Sequence, residues 1–163
     1  MRIGFGFDSH RFDPSRPCIL GGVTIPDTPG LAAFSDGDAL AHAVTDAVLG
    51  AAGLGDIGRH FPPGDERWRG ADSMGLLRTA VGMARDAGYG IGNVDVTLVC
   101  ERPRIDVVAD RIRSSLAGAL QVTPQQVSVK GKTSEGMGWE GRGEGIAVHA
   151  VILLVPASPR GPS

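Results

Sequence analysis

An aspartate and a histidine end the first apolar segment of the chain. The segment 4–10, GFGFDSH, alternates glycine with phenylalanine and then stops on Asp8 and His10. Because side chains along a strand repeat every two residues, these two groups can point the same way. A carboxylate and an imidazole that converge form half of a metal site, or an acid–base pair. The pair alone is a weak signal, because a polar turn after a buried strand has the same residue types.

His42 is the third partner that such a site needs. It lies in SDGDALAHAVTDAVLGAAG, residues 35–53, with Asp38 and Asp46 one helical turn away on either side. A metal-binding histidine usually donates its second ring nitrogen to such a group, and we expect Asp46 to orient His42. Three protein ligands with one open position are typical of catalytic zinc, which can take a water or a phosphate oxygen. For His42 alone, a solvated polar helix face is an adequate alternative.

A glycine-rich segment near the end of the chain, SVKGKTSEGMGWEGRGEG, is the second candidate site. Its GKT is not a nucleotide-binding P-loop, since Gln126 stands where that motif needs glycine. Backbone N–H groups and short hydroxyls in such a loop still bind phosphate well, and Glu135 adds a carboxylate for Mg²⁺. The groups that can contact phosphate are Lys130, Lys132, Thr133, Ser134 and Arg142. A solvated hairpin loop explains the composition equally well.

The elements that must position these groups follow from apolar periodicity and turn residues. Strands are predicted at 2–7, 17–25 (a hairpin broken at Gly21-Gly22), 93–100, 126–130 and 146–155. Helices are predicted at 35–53, 73–87 and 106–120, the first capped by Ser35 and Asp38, with a loop at 54–72. This order predicts one α+β domain, 1–156, with a mixed sheet and helices on one face, and a disordered tail at 157–163.

The bulk composition limits the classes of function. The chain has 163 residues and a net charge of −2, so no bulk basicity favours nucleic acid. No apolar run reaches the length of a membrane span, and Cys18 and Cys100 are interpreted as buried thiols in a reducing compartment. We therefore expect a cytoplasmic protein with neither a membrane nor a nucleic-acid partner. The last strand is apolar at nearly every position, which predicts that helices cover one face and another subunit covers the other.

These stretches, in this order, resemble the 2-C-methyl-D-erythritol 2,4-cyclodiphosphate synthase family over nearly the whole chain. The resemblance is carried by DSH at 8–10, SDGDALAHAVTDAVLGAAGLGDIG at 35–58, FPP…D…WRGADS at 61–73, NVDVTLVCERPRI at 93–105 and KTSEG…GRGEGIA at 132–147. It implies an enzyme that cyclises 4-diphosphocytidyl-2-C-methyl-D-erythritol 2-phosphate and releases CMP, a step of the non-mevalonate route to isoprenoid precursors. It also implies a homotrimer with active sites at the subunit interfaces.

The resemblance implies a role for each matching residue. Zinc is held by Asp8, His10 and His42, and Mg²⁺ or Mn²⁺ lies between the diphosphate groups with help from Glu135. Thr133 and Lys132 donate to the developing charge, and Asp46 orients His42. The erythritol part lies at 56–58 and 61–65, and the 100–106 stretch of a neighbouring subunit holds cytosine and ribose. The implied substrate-binding set is Asp8, Ser9, His10, Phe34, Ser35, Asp56, Ile57, Gly58, Phe61, Asp65, Cys100, Pro103, Arg104, Ile105, Asp106, Lys132, Thr133, Ser134, Glu135, Trp139 and Arg142.

The chain departs from the family pattern at three positions that bear on function. Phe34 replaces a histidine that contacts substrate phosphate, and phenylalanine cannot donate a hydrogen bond. We hypothesise that Lys132, where threonine is commoner, supplies the missing charge. Trp139 replaces phenylalanine, and His149 stands where an acidic residue is common. Two other functions remain open: a zinc phosphohydrolase that uses the same metal site on water, and an inactive nucleotide-binding trimer with Phe34 as its lesion.

Overall fold

One five-stranded mixed sheet organises the protein. The computed structural model describes residues 1–157. Residues 158–163 of the predicted tail lie outside the described residues. The strands are β1 (Arg2–Leu20), β2 (Val23–Leu31), β3 (Tyr89–Val99), β4 (Val127–Lys132) and β5 (Gly145–Pro156), in the spatial order β2-β1-β5-β3-β4. Only β3 and β4 among these pair in parallel. The predicted α+β class with a mixed sheet is confirmed.

Five α-helices connect and cover the strands. They are α1 (Ala39–Ala52), α2 (Ile57–His60), α3 (Ser73–Asp86), α4 (Ala109–Leu120) and α5 (Gly138–Gly141), with 3₁₀ turns at Glu66–Trp68, Ile105–Val107 and Pro124–Gln126. The segment predicted as the loop 54–72 therefore contains α2 and one 3₁₀ turn. The predicted strand 2–7 also continues to Leu20, where the turn at Gly21-Gly22 begins the hairpin with β2.

The first helix begins later than the sequence pattern indicated. Its N-cap is Asp38, whose side chain accepts from the Ala41 N–H, so the predicted cap at Ser35 is wrong. The same carboxylate accepts from the N–H groups of Gly21 and Gly22, at 2.9 and 2.7 Å, and its residue is fully buried. Asp38 thus joins the β1–β2 turn to the start of α1. Gly53 ends the helix in a left-handed conformation, as predicted.

Helix α1 lies very close to the first strand because of two glycines. A Cβ at Gly4 would lie 2.0 Å from the Ala47 carbonyl oxygen, and one at Gly6 would lie 1.9 Å from that of Ala43. No side chain fits in that space, so the backbone of the helix rests directly on the strand. The same spacing brings the polar end of β1 beside His42.

The opposite face of β1 is exposed within the single chain. Ile3, Phe5 and Phe7 are 76%, 60% and 47% exposed, and Val151 of β5 is 45% exposed beside them. The interpretation of this segment as a buried strand is therefore wrong for one chain: the helix covers the glycines, and the aromatic residues point the other way. Within residues 1–157, no helix is long and apolar enough to cross a membrane.

Candidate active site

Three potential metal ligands converge where β1 meets α1. The Oδ2 atom of Asp8 lies 2.9 Å from His10 Nε2 and 2.9 Å from His42 Nδ1. The two histidine nitrogens are 3.4 Å apart. In the described part of the chain, this is the one group of three or more such side chains with ligand atoms close enough to share an ion.

The outer hydrogen bonds of both histidines define which nitrogens face inward. His10 Nδ1 lies 2.7 Å from the carbonyl oxygen of Ala32, which can only accept, so this nitrogen carries the proton. His42 Nε2 lies 2.8 Å from Ser73 Oγ, and that hydroxyl donates its single proton to Asp36 Oδ1. Ser73 must therefore accept from His42. Both inward nitrogens then present lone pairs toward Asp8.

When both histidine rings are neutral, three lone pairs converge, and the geometry then fits a metal ion between them. Ligands of tetrahedral zinc, bound at about 2.0–2.1 Å, lie about 3.3 Å apart, close to the separation of the two histidine nitrogens. Burial raises the pKa of Asp8, but its hydrogen bonds and charge interactions with His10 and His42 outweigh that effect and hold the pKa well below its usual range. Burial lowers the pKa of His10, and the neighbouring Asp8 more than reverses this. The carboxylate stays ionised and available as a ligand.

The structure corrects the predicted partner of His42. Asp46 does not orient the imidazole; its Oδ1 accepts from the Ile57 N–H at 2.7 Å and so fixes the start of α2. The orienting groups are Ser73 and Asp36, with Ser35 Oγ 3.1 Å from the same histidine nitrogen. The Ser73 N–H also donates to Asp36 Oδ2 at 3.0 Å. Sequence reasoning missed Ser73 and Asp36, because Ser73 is 31 residues from His42 and spacing gives no sign of the contact.

A pocket of about 250 Å³ opens beside the metal site. The predicted residues that line it are Asp8, His10, Phe34, Ser35, His42, Asp46, Ile57, Gly58 and Phe61. Its remaining wall consists of Pro63, which belongs to the predicted 61–65 stretch, and of Ala33, Trp68 and Leu76, which were not predicted site residues. We call this the metal pocket. One wall carries the metal ligands, and the rest is mainly apolar.

Two predicted substrate contacts cap short helices beside the metal pocket and do not line it. Asp56 accepts from the Arg59 N–H and begins α2. Asp65 accepts from the Arg67 N–H and pairs with its guanidinium at 2.6 Å. Within one chain, these two carboxylates therefore shape the loop that forms the pocket wall.

Seven of the other predicted substrate residues line a second pocket of about 200 Å³, whereas Ser9, Ser134, Glu135, Trp139 and Arg142 do not. Its lining comprises Cys100, Glu101, Pro103, Arg104, Ile105, Asp106, Gly131, Lys132 and Thr133. Thr133 Oγ1 donates to Glu135 Oε1 at 2.8 Å, and Glu101 accepts from the Ser134 N–H at 3.1 Å. We call this the loop pocket. Glu101 links its two segments; it belongs to the predicted 100–106 stretch but was given no role of its own.

Trp139 and Arg142 lie apart from both pockets. Trp139 lines a third cavity with Ser9, His10, Arg11 and Glu144, on β1 and before β5. Arg142 pairs with Glu144 at 2.6 Å. This cavity shares His10 with the metal pocket.

The metal pocket and the loop pocket share no lining residue within one chain. Phe34 lies in the first and Lys132 in the second. Within one chain, Phe34 and Lys132 therefore lie in separate pockets.

Comparison with known proteins identifies the family of the chain. The family model described as the YgbB family matches residues 1–155. The chain belongs to the YgbB family. It is 53% identical over 155 residues to the 2-C-methyl-D-erythritol 2,4-cyclodiphosphate synthase of Moorella thermoacetica, covering 95% of each chain.

Solved structures extend the YgbB likeness to three dimensions. The bifunctional IspDF of Campylobacter jejuni matches with a TM-score of 0.91 at 42% identity, covering 94% of this chain and 42% of that one. The IspF of Plasmodium falciparum, in a complex with CDP, matches with a TM-score of 0.84 at 36% identity, covering 96% and 97% of the two chains. The metal triad described above is thus set in a fold for which a nucleotide complex is known.

Proposed function

We propose that this chain is a 2-C-methyl-D-erythritol 2,4-cyclodiphosphate synthase. It takes 4-diphosphocytidyl-2-C-methyl-D-erythritol 2-phosphate, forms the cyclic 2,4-diphosphate and releases CMP. The observation that carries this proposal is the convergence of Asp8, His10 and His42 on the wall of a pocket in a chain of the YgbB family. The step belongs to the non-mevalonate route to isoprenoid precursors.

The reaction needs positioning more than covalent catalysis. An oxygen of the 2-phosphate attacks the β-phosphorus, and the bond from that phosphorus to the oxygen bridging the α- and β-phosphates breaks. The leaving CMP keeps that oxygen, so atoms and charge balance without an enzyme nucleophile. Catalysis then consists of folding the substrate and neutralising charge as the phosphoryl group moves.

Asp8, His10 and His42 hold zinc in this proposal, with their outer hydrogen bonds fixing the ring orientations. Zinc held there would supply a Lewis acid that polarises the β-phosphate. Glu135 would contribute one carboxylate to Mg²⁺ or Mn²⁺, which would neutralise charge on the diphosphate.

The loop pocket supplies the nucleotide-binding half of the site. Its walls offer the Thr133 hydroxyl and the Lys132 ammonium as donors to the phosphates, and the 100–106 segment as a surface for cytosine and ribose. The complete site then requires the metal pocket of one subunit and the loop pocket of another. Two partial pockets that share no residue, together with an exposed apolar sheet face, support a homotrimer with composite sites.

A ³¹P NMR time course tests the proposed function. The purified protein is given the diphosphocytidyl substrate with Zn²⁺ and Mg²⁺, and the reaction is repeated with a chelator. We expect resonances of a cyclic diphosphate and of CMP, both lost with the chelator. Thr133→Ala is expected to slow turnover, whereas the matched variant Thr79→Ala, whose exposed hydroxyl bonds only to its own helix, should not.

The same spectra separate the other two functions. Linear phosphate products would identify a phosphohydrolase, and an unchanged spectrum with CDP still bound would identify an inactive nucleotide-binding protein. Sedimentation analysis of the same sample tests the trimer independently. A monomer at the concentration of full activity would contradict the composite site but not the reaction.

A further inference from the structure

The metal pocket has a shortage of positive charge. Its described lining residues include two histidines, which are committed to the metal site, but no lysine or arginine. The proposed substrate carries a phosphate monoester in addition to its diphosphate. The metal ions and the loop pocket serve the diphosphate, so the monoester has no cationic partner among the lining residues. A partner must come from immediately outside the wall.

Arg69 is the cation held against that wall. Its guanidinium carbon lies 4.7 Å from the centre of the Phe34 ring, within the range of a cation–π contact. The backbone on either side of it is fixed to the pocket: Trp68 lines the wall, and the Gly70 N–H donates to the Phe34 carbonyl at 2.9 Å. Arg69 is thus stacked on one pocket residue and follows another in sequence.

The orientation of Arg69 leaves one of its two binding edges open. Glu66 accepts from Nε and Nη2, both at 2.7 Å, and so occupies the side edge of the guanidinium. Among the described residues, no acceptor is found for the end edge formed by Nη1 with the second proton of Nη2. That edge presents two parallel N–H donors, a geometry that matches two oxygens of a phosphate.

Two other basic residues near the metal pocket, Arg16 and Arg67, are less suitably placed than Arg69. Arg16 donates to the carbonyl oxygens of Ala33 and Ser35, and so holds the backbone on either side of Phe34. Arg67 pairs with Asp65 and lies 5.7 Å from the Trp68 ring, farther from its aromatic partner than Arg69 is from Phe34. Lys132 lines the loop pocket.

We propose that Arg69 is a substrate-binding residue whose free guanidinium edge receives the phosphate monoester, with Phe34 as the platform on which it stacks. This inference rests on the proposed function for the identity of the substrate. The ring of Phe34 cannot itself donate to phosphate, but it orients a side chain that can. The Glu66 carboxylate holds the guanidinium in place from the opposite edge.

The test compares Arg69→Gln with the wild type in two assays. We expect the KM for the 2-phosphorylated substrate to rise about 10- to 100-fold, the usual effect of losing a hydrogen bond to a charged group. Inhibition by 4-diphosphocytidyl-2-C-methyl-D-erythritol, which lacks the 2-phosphate, should keep its wild-type Ki. Arg69→Lys, which keeps the charge but not the fork, should recover part of the loss.

Arg78→Gln is the matched control, because Arg78 is also an exposed arginine paired with one carboxylate, Asp72, and it lines neither pocket that we assign to substrate. An unchanged KM in Arg69→Gln would overturn the inference. The inference would also be overturned if Arg78→Gln raised the KM as much as Arg69→Gln does, or if Arg67→Gln raised it more. It would be overturned as well if Arg69→Gln weakened binding of the inhibitor without the 2-phosphate by the same factor. If the wild type makes no cyclic product, the proposed function fails instead, and calorimetric affinities for the same two ligands still compare Arg69→Gln with the wild type.

Discussion

Replacement of Ser73 by alanine should weaken metal binding without unfolding the protein. The Ser73 hydroxyl accepts from His42 Nε2 at 2.8 Å and donates to Asp36, so it fixes the ring that faces Asp8 through Nδ1. Removal of such an outer hydrogen bond typically lowers metal affinity about 10- to 100-fold. Ser35 Oγ lies 3.1 Å from the same nitrogen and can still accept from it. We therefore expect the metal affinity to fall by the lower end of that range, about 10-fold or 1.4 kcal/mol. The double variant that also carries Ser35→Ala should approach about 100-fold.

The fold should tolerate this change because the other contacts at the site remain. Asp72 still caps α3, and the Ser73 N–H still donates to Asp36 at 3.0 Å. Asp36 also keeps the N–H of Asp38, at 3.2 Å, as a donor. The loss should therefore appear in the affinity of the folded protein and not in the fraction that is folded.

Competition for Zn²⁺ against a chromophoric chelator measures the affinity directly. Ser114→Ala is the control. The Ser114 hydroxyl also donates a hydrogen bond, to the Asp110 carbonyl oxygen, but it lies on the exposed side of α4. A long-range ¹H–¹⁵N spectrum of the metal-bound protein should show the His42 proton on Nε2. The reasoning is refuted if Ser73→Ala binds Zn²⁺ as tightly as Ser114→Ala does, or if the proton is found on Nδ1.

Three further predictions concern the parts of the fold that support the site. Asp38→Ala leaves three backbone N–H groups without their acceptor and should lower the free energy of unfolding in urea by about 3–5 kcal/mol. The control Asp110→Ala, at an exposed carboxylate, should change the free energy of unfolding by about 0.5 kcal/mol or less. Similar values for both variants would contradict the role of Asp38. Gly6→Ala forces α1 away from β1, so it should lower the free energy of unfolding by about 3 kcal/mol and weaken Zn²⁺ binding. The control Gly82→Ala, on α3 with open space around it, should raise the free energy of unfolding by about 0.5–1 kcal/mol. Wild-type metal affinity in Gly6→Ala would refute the packing argument. Burial raises the pKa of Cys18 to about 12 and that of Cys100 to about 11, against an ordinary 9.0. Iodoacetamide at pH 8 should therefore label native protein more slowly than unfolded protein, by about 1,000-fold at Cys18 and about 100-fold at Cys100. Rapid native labelling would show that the thiols are not buried.

The metal ligands could be predicted because their positions follow from local periodicity. Asp8 and His10 are two residues apart on a strand, and His42 lies inside an amphipathic helix, so residue type and spacing suffice to suggest a common site. Ser73 and Asp36 could not be predicted in the same way. Their contact with His42 depends on how α3 packs against the start of α1. Local sequence periodicity does not predict such tertiary packing.

The exposed face of β1 illustrates a second limit. The sequence shows glycine and large apolar residues in alternation, and an apolar alternation normally predicts that the large residues are buried. Here the helix backbone approaches too closely for any side chain, so the glycines face the core and Phe5 and Phe7 face outward. The choice between the two faces depends on the spacing between elements, which the alternation alone does not define.

The strict alternation along β1 also limits which length changes this segment can accept in evolution or engineering. Gly4, Gly6, Asp8 and His10 all lie on the helix side, while the intervening residues lie on the other. Deletion or insertion of one residue before Asp8 would reverse this parity, press a phenylalanine against α1 and turn the metal ligands away from His42. A change of two residues would preserve the parity and only displace the pattern along the strand. Insertions and deletions in this segment should therefore contain an even number of residues. This constraint applies to the strand as a whole and not to any single position.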